Sequence, residues 1–185
     1  MDTKDPNARR EFLKKLIASG MVAGMTPYLS SGEILAATVA TRGELPKRPL
    51  GKTGHMVTIY SLGGQATIET PGKEELAVEI VNKAIDLGIN YIDTAAAYGW
   101  ATETLAKKDA MGTSEKNIGQ VMKYRRKEVF LASKTHDRTY DGSMRLLEKT
   151  LKNLQTDHLD LWQVHNVKKR EKDQLDTFFA KDGVI

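Results

Sequence analysis

Tyr91-Ile92-Asp93-Thr94-Ala95-Ala96-Ala97-Tyr98-Gly99 begins as an apolar strand, meets a carboxylate, and turns. The same plan recurs in VFLASKTHD, 129–137, and in HLDLWQVHN, 158–166. Each stretch delivers a reactive group at its carboxyl end: Asp93 and then Tyr98, next Lys134, next His165. Side chains alternate along a strand, so Tyr91 and Asp93 share a face, as do Phe130, Ala132 and Lys134, and Leu161, Gln163 and His165. In each set the reactive group is last on its face, which suits a barrel lumen opening beyond the strand ends.

Working outward, Leu76, Ala77, Ile80, Val81, Ala84 and Ile85 predict a helix over 73–87, stopped by Gly88. Ile118, Val121 and Met122 predict a second over 114–124, and Met144, Leu147, Leu151 and Leu154 a third over 141–154. Residues 48–54 read as strand, tight turn and strand. The run 56–62 predicts a first buried strand, followed by strands over 90–93, 128–133 and 159–164. Such alternation requires right-handed crossovers and a parallel sheet, open or closed. Gly63-Gly64 does not match a G-x-G-x-x-G phosphate turn. With the face parity above, this favours the α/β class and a (β/α)8 barrel of the TIM type, with about four βα units in 41–185.

A net charge of +4 raises the question of nucleic acid. Lys123, Arg125, Arg126 and Lys127 lie together at a helix-to-strand turn, and Lys168 to Arg170 follow a strand. Neither cluster is interleaved with stacking aromatics, so solvated charge is the better reading and no nucleic-acid partner is expected. The chain has no cysteine, which excludes disulfides and thiolate metal centres within it. Residues 7–15, NARREFLKK, resemble a twin-arginine export signal. The apolar stretch 16–29 would rise only about 21 Å as a helix, short of a hydrocarbon core of about 30 Å. Small residues at Ala36, Ala37 and Ala40 offer a cleavage point. The expectation is therefore a signal over 1–40, the export machinery as a partner, no stable membrane span, and a periplasmic or extracytoplasmic destination.

A carbonyl that accepts hydride at carbon needs a proton at oxygen. A phenol supplies it better when an ammonium stabilises the phenolate. The ammonium needs a carboxylate to stay charged away from water, and an imidazole can orient the carbonyl. Tyr98, Lys134, Asp93 and His165 suit these roles in turn. His136, Asp137, His158 and His165 lack metal-ligand spacing, so no metal is expected.

The stretch 91–99, with LEKTL at 147–151 and LQTDHLDLWQVH at 154–165, resembles the aldo-keto reductase family over about 48–167. The resemblance implies a (β/α)8 barrel with a bottom hairpin, NADP(H) as cofactor, and aldehydes or ketones as substrates. It also implies the catalytic tetrad Asp93, Tyr98, Lys134 and His165. Asp93 and Asn166 are then cofactor contacts, and Gln163 lines the substrate pocket. Two departures stand out. Residues 100–111 intervene before the Ser114-Glu115 pair that opens the next helix, making Trp100 a candidate pocket wall. A complete barrel takes about 250 residues, so a truncated product or fragment is expected, and residues 173–179 read as the approach to a fourth helix. The alternative reading is a catalytically incompetent half-barrel that acts by self-association or by pairing with a separate carboxyl-terminal half.

Overall fold

A computed structural model describes residues 44–99, 111–168 and 175–185. The expected signal at 1–40 and the candidate pocket residue Trp100 lie outside the described residues. The chain forms β1 (Lys47–Pro49), β2 (Met56–Thr58), β3 (Leu62–Gly63), α1 (Glu74–Asp86), β4 (Tyr91–Asp93) and α2 (Thr113–Arg125). It continues through β5 (Phe130–Thr135), α3 (Tyr140–Leu154), β6 (Leu161–Val164) and the short α4 (Leu175–Phe178).

Strands β3, β4, β5 and β6 pair in that order and all run parallel. This is an arc of a (β/α)8 barrel. The β1–β2 hairpin is antiparallel and sits beneath the amino ends of the arc. Asn90, just before β4, ties it there: its Oδ1 accepts from Thr58 N at 2.7 Å and its Nδ2 donates to Met56 O at 2.8 Å. The His55 ring meets Phe130 edge-on at 5.0 Å, and Phe130 meets Tyr91 at 5.2 Å, closing the lower lumen with aromatic surface.

The run 56–62 is two elements rather than one strand, which corrects the expectation from sequence. Met56–Thr58 pairs with β1, and only Leu62–Gly63 joins the parallel sheet. The chain bends between them because Thr58 Oγ1 donates to Tyr60 O at 2.6 Å and Ile59 N donates to Pro46 O at 3.0 Å. β-branched and aromatic residues, Val57 through Tyr60, continue across the bend, so strand composition alone could not reveal it.

Helix α1 ends as its Gly88 signal implied. Gly88 has φ 90°, its N–H reaches Ile85 O at 2.8 Å, and Ile89 N reaches Ala84 O at 3.0 Å. These two bonds form a Schellman cap, which satisfies terminal carbonyls that would otherwise be orphaned. The helices cover the outer face of the sheet. Val81, Ile85, Ile118, Met122 and Leu154 pack there against Ile92 and Leu131. Burying a side chain such as Leu131 contributes about 1.5–3 kcal/mol. Much of the basic cluster ties elements together. Arg125 bridges Asp86 at 2.8 Å and Glu128 at 2.9 Å, and Arg126 bridges Asp160 at 2.7 Å. No helix among the described residues is long and apolar enough to cross a membrane.

Helices α2 and α3 touch backbone to backbone at Gly119. A Cβ there would collide with Asn153 O and approach the Leu154 Cα to 2.9 Å. Gly119→Ala is therefore expected to lower stability by about 1–3 kcal/mol, the range for overpacking. Urea midpoints at constant slope would measure it.

Candidate active site

Beyond β4 the chain continues along β5 before it turns. Thr94 N donates to Ala132 O at 2.9 Å, Ala96 N to Lys134 O at 3.3 Å, and Tyr98 N closes a turn onto Ala95 O at 3.0 Å. This path carries Tyr98 back over the end of β5. His165 follows β6 and is held by its N–H to Thr135 O at 2.7 Å.

At the lumen mouth, Lys134 Nζ donates to Asp93 Oδ1, to Thr94 O at 2.7 Å and to Tyr98 Oη at 3.5 Å. The Lys134 side chain is 14% exposed and that of Asp93 28%, so the ion pair is largely screened from water. Lys134 Nζ lies 5.0 Å from the Tyr98 ring centroid, and the His165 ring stands edge-on to Tyr98 at 5.5 Å. Acid, ammonium, phenol and imidazole thus converge on one small volume. Gln163 is the register partner of Lys134 on β6 and follows Leu161 on the same strand face. Asn166 adopts φ 58°, a left-handed conformation that asparagine tolerates better than most residues.

Burial holds the His165 imidazole below its usual range, and the nearby Lys134 charge adds to the effect. The ring is therefore neutral at neutral pH and can donate one N–H while carrying no charge. A base whose folded value is depressed binds fewer protons folded than unfolded. Its penalty is absent above the unfolded value, near 6.5, and grows as pH falls through it. Between about pH 7 and pH 5, the protein is expected to lose more stability than its His165→Gln variant. Parallel urea midpoints for the two chains would reveal no difference if His165 titrated normally.

No group of acidic and histidine side chains among the described residues could hold a metal. Asp137 accepts from Thr139 N and Oγ1 at 2.9 and 2.7 Å, holding the residue that caps α3 by accepting from Gly142 N at 3.2 Å. His158 pairs at 2.6 Å with the exposed Asp157.

Sequence reasoning missed two residues. Arg138 Nη2 donates to His165 O at 2.9 Å, and the guanidinium lies 5.6 Å from the Phe178 ring, so it fastens the loop after β5 to the end of β6. Glu115 is fully buried between α2, α3 and β5. Its signal was legible: Glu115, Ile118 and Met122 stand at i, i+3 and i+7, placing a carboxylate on an apolar stripe.

A parallel strand–helix arc with polar groups gathered at its carboxyl mouth defines a part of the (β/α)8 class of fold. Residues 60–181 match the aldo/keto reductase family model, and the chain belongs to that family. It is 33% identical over 135 residues to the oxidoreductase YrpG of Bacillus subtilis, covering 65% of this chain and 40% of that protein. The holo form of the aldo-keto reductase AKR11C1 from Bacillus halodurans superposes with TM-score 0.55 at 25% identity, over 73% of this chain and 45% of its own. An aldo-keto reductase from Klebsiella pneumoniae in complex with NADPH superposes with TM-score 0.50 at 30% identity, over 60% and 36%. The chain thus spans about 40% of the first curated relative it matches.

Proposed function

We propose that this oxidoreductase reduces aldehydes or ketones to alcohols with NADP(H), using Tyr98 as proton donor. The observation that carries the reading is the convergence of Lys134 on both Asp93 and Tyr98, with His165 against the same phenol ring. The donor set suits a nicotinamide and a carbonyl side by side: an ammonium, phenol and imidazole in contact, with Gln163 the register partner of Lys134 and Asn166 next after His165. Asp93 and Asn166 would contact the cofactor, and Gln163 the substrate. When bound, the reduced nicotinamide supplies hydride to the carbonyl carbon.

As the carbonyl oxygen gains charge, Tyr98 Oη–H donates its proton to it, giving the alcohol. The tyrosinate left behind faces Lys134 Nζ, whose charge stabilises it. Asp93 pairs with that lysine and aims it. The neutral His165 ring orients the carbonyl by donating an N–H.

Four parallel strands with open edges among the described residues favour one second reading, a half-barrel that acts by association. Isothermal titration of the chain with NADPH separates the two. Heat with saturation, and NADPH consumption on adding an aldehyde, support the reductase. No heat, together with oligomers in sedimentation, supports association. Export is a further part of the proposal. It rests on Arg9-Arg10, the apolar stretch 16–29 and the small residues near Ala40. Fusing residues 1–45 to a folded fluorescent reporter should carry it out of the cytoplasm. Failure to export, or export surviving Arg9→Lys with Arg10→Lys, would refute it.

A further inference from the structure

Glu115 is fully buried, and burial pushes its carboxyl up. Its named partners are neutral: Ser133 Oγ and Thr150 Oγ1 donate to Oε1, each at 2.8 Å, and Asn153 Nδ2 donates to Oε2 at 3.1 Å. Burying a carboxylate is costly even when it is hydrogen-bonded. A leucine there with apolar residues in place of its three donors would extend the stripe of Ile118 and Met122 without that cost, so packing alone does not account for the glutamate.

Its placement does. Ser133 immediately precedes Lys134 on β5. The neighbouring Ser114 Oγ shares a hydrogen bond of 2.8 Å with Thr94 Oγ1, and the Thr94 carbonyl accepts from Lys134 Nζ. Gly112 N and Ser114 N both donate to Tyr98 O, at 3.0 and 3.5 Å. Residues 112–115 therefore grip Thr94, Tyr98 and Ser133 at once. The chain leaves this point at Tyr98 and returns to it at Gly112, so the grip on Tyr98 is made from both sides of the 100–111 segment.

We propose that Glu115 is a positioning residue: with Ser114 it makes the start of α2 a brace that fixes the strand carrying Lys134 relative to the arm carrying Tyr98. This rests on the reductase reading above, and its test includes a readout that needs no turnover. A lysine ammonium held by Asp93 and a carbonyl exchanges slowly enough to give a proton–nitrogen NMR signal, which Lys134→Met assigns. Glu115→Ala is expected to broaden that signal away. It should also cut kcat about tenfold or more with KM changed less than about twofold, as misplacement without lost contact does. Glu115→Gln still accepts from both hydroxyls and should restore signal and rate. Met122→Ala loses core packing on the same helix and should keep the signal.

Should Glu115→Ala fail to fold, Ser133→Ala removes one bond of the brace and should weaken the signal in the same direction. An unchanged Lys134 signal in Ser133→Ala and in any folded Glu115→Ala, or equal loss in Met122→Ala, overturns the brace. If the signal responds as expected but the wild-type chain reduces no carbonyl, the reductase reading fails and the structural brace stands.

Discussion

Replacing Tyr98 with phenylalanine is expected to slow NADPH-dependent carbonyl reduction by about a thousandfold, within the range a positioned general acid contributes. The substitution is nearly isosteric. The ring keeps its edge contact with His165 at 5.5 Å and stays 5.0 Å from Lys134 Nζ, so what is lost is the hydroxyl 3.5 Å from that ammonium. NADPH affinity should therefore hold within about twofold, and kcat and kcat/KM should fall together, the pattern of an interaction made in the transition state. Tyr91→Phe is the matched control. Tyr91 lies on the same lumen face two residues before Asp93, against Phe130 at the lower end, and its hydroxyl has no part in the proposed proton transfer. It should leave the rate within about twofold. Single-turnover rates for the two variants, with NADPH titrated by fluorescence, decide the matter. A Tyr98→Phe protein with a tenth of the wild-type rate would remove this phenol from its role.

The barrel arc was legible because two signals agree in this chain. Period-2 alternation put Asp93, Lys134 and His165 at the ends of matching strand faces, and period-3.6 stripes separated those strands with helices of the right length. The register bears this out in detail, pairing Asp93 with Ala132 and Lys134 with Gln163. Legibility failed where structure depends on single hydrogen bonds. The bend after Thr58 arises from side-chain and backbone bonds within a run of strand-forming residues, and no pattern of hydrophobicity encodes it. Glu115 was visible as a charge on an apolar stripe, but its meaning came from three donors, two of them on α3 and one on β5. Arg138 could not be read at all. Its target is the backbone carbonyl of His165, which any residue would present. Sequence therefore placed Asp93, Tyr98, Lys134 and His165 on one rim, where they do lie together, and left the groups that hold them unread.

Lys134→Met should have two separable effects. Methionine keeps most of the stem volume, but it leaves the Asp93 carboxylate, 28% exposed, without its cation. For a fully buried pair such a break costs about 3–5 kcal/mol. Partial exposure of Asp93 lets water compensate, so about 1–2 kcal/mol is expected here. Asp93→Asn strands the ammonium instead and should cost a similar amount. The double variant removes both charges, leaving an amide beside a thioether, and should be more stable than the sum of the two losses implies. A coupling of about 1 kcal/mol or more lies within the range for contacting residues.

Turnover should not follow stability. Lys134→Met removes the charge that stabilises the Tyr98 phenolate and should lower kcat by about a hundredfold or more. Adding Asp93→Asn restores no positive charge, so it should restore no rate. Denaturant midpoints and kcat across all four chains distinguish the two accounts. If rate recovers together with stability in the double variant, the ion pair serves only the fold, and the lysine has no electrostatic part in proton transfer. If stability recovers while rate stays low, the same ammonium that holds β4 to β5 also acts on the phenol 3.5 Å away.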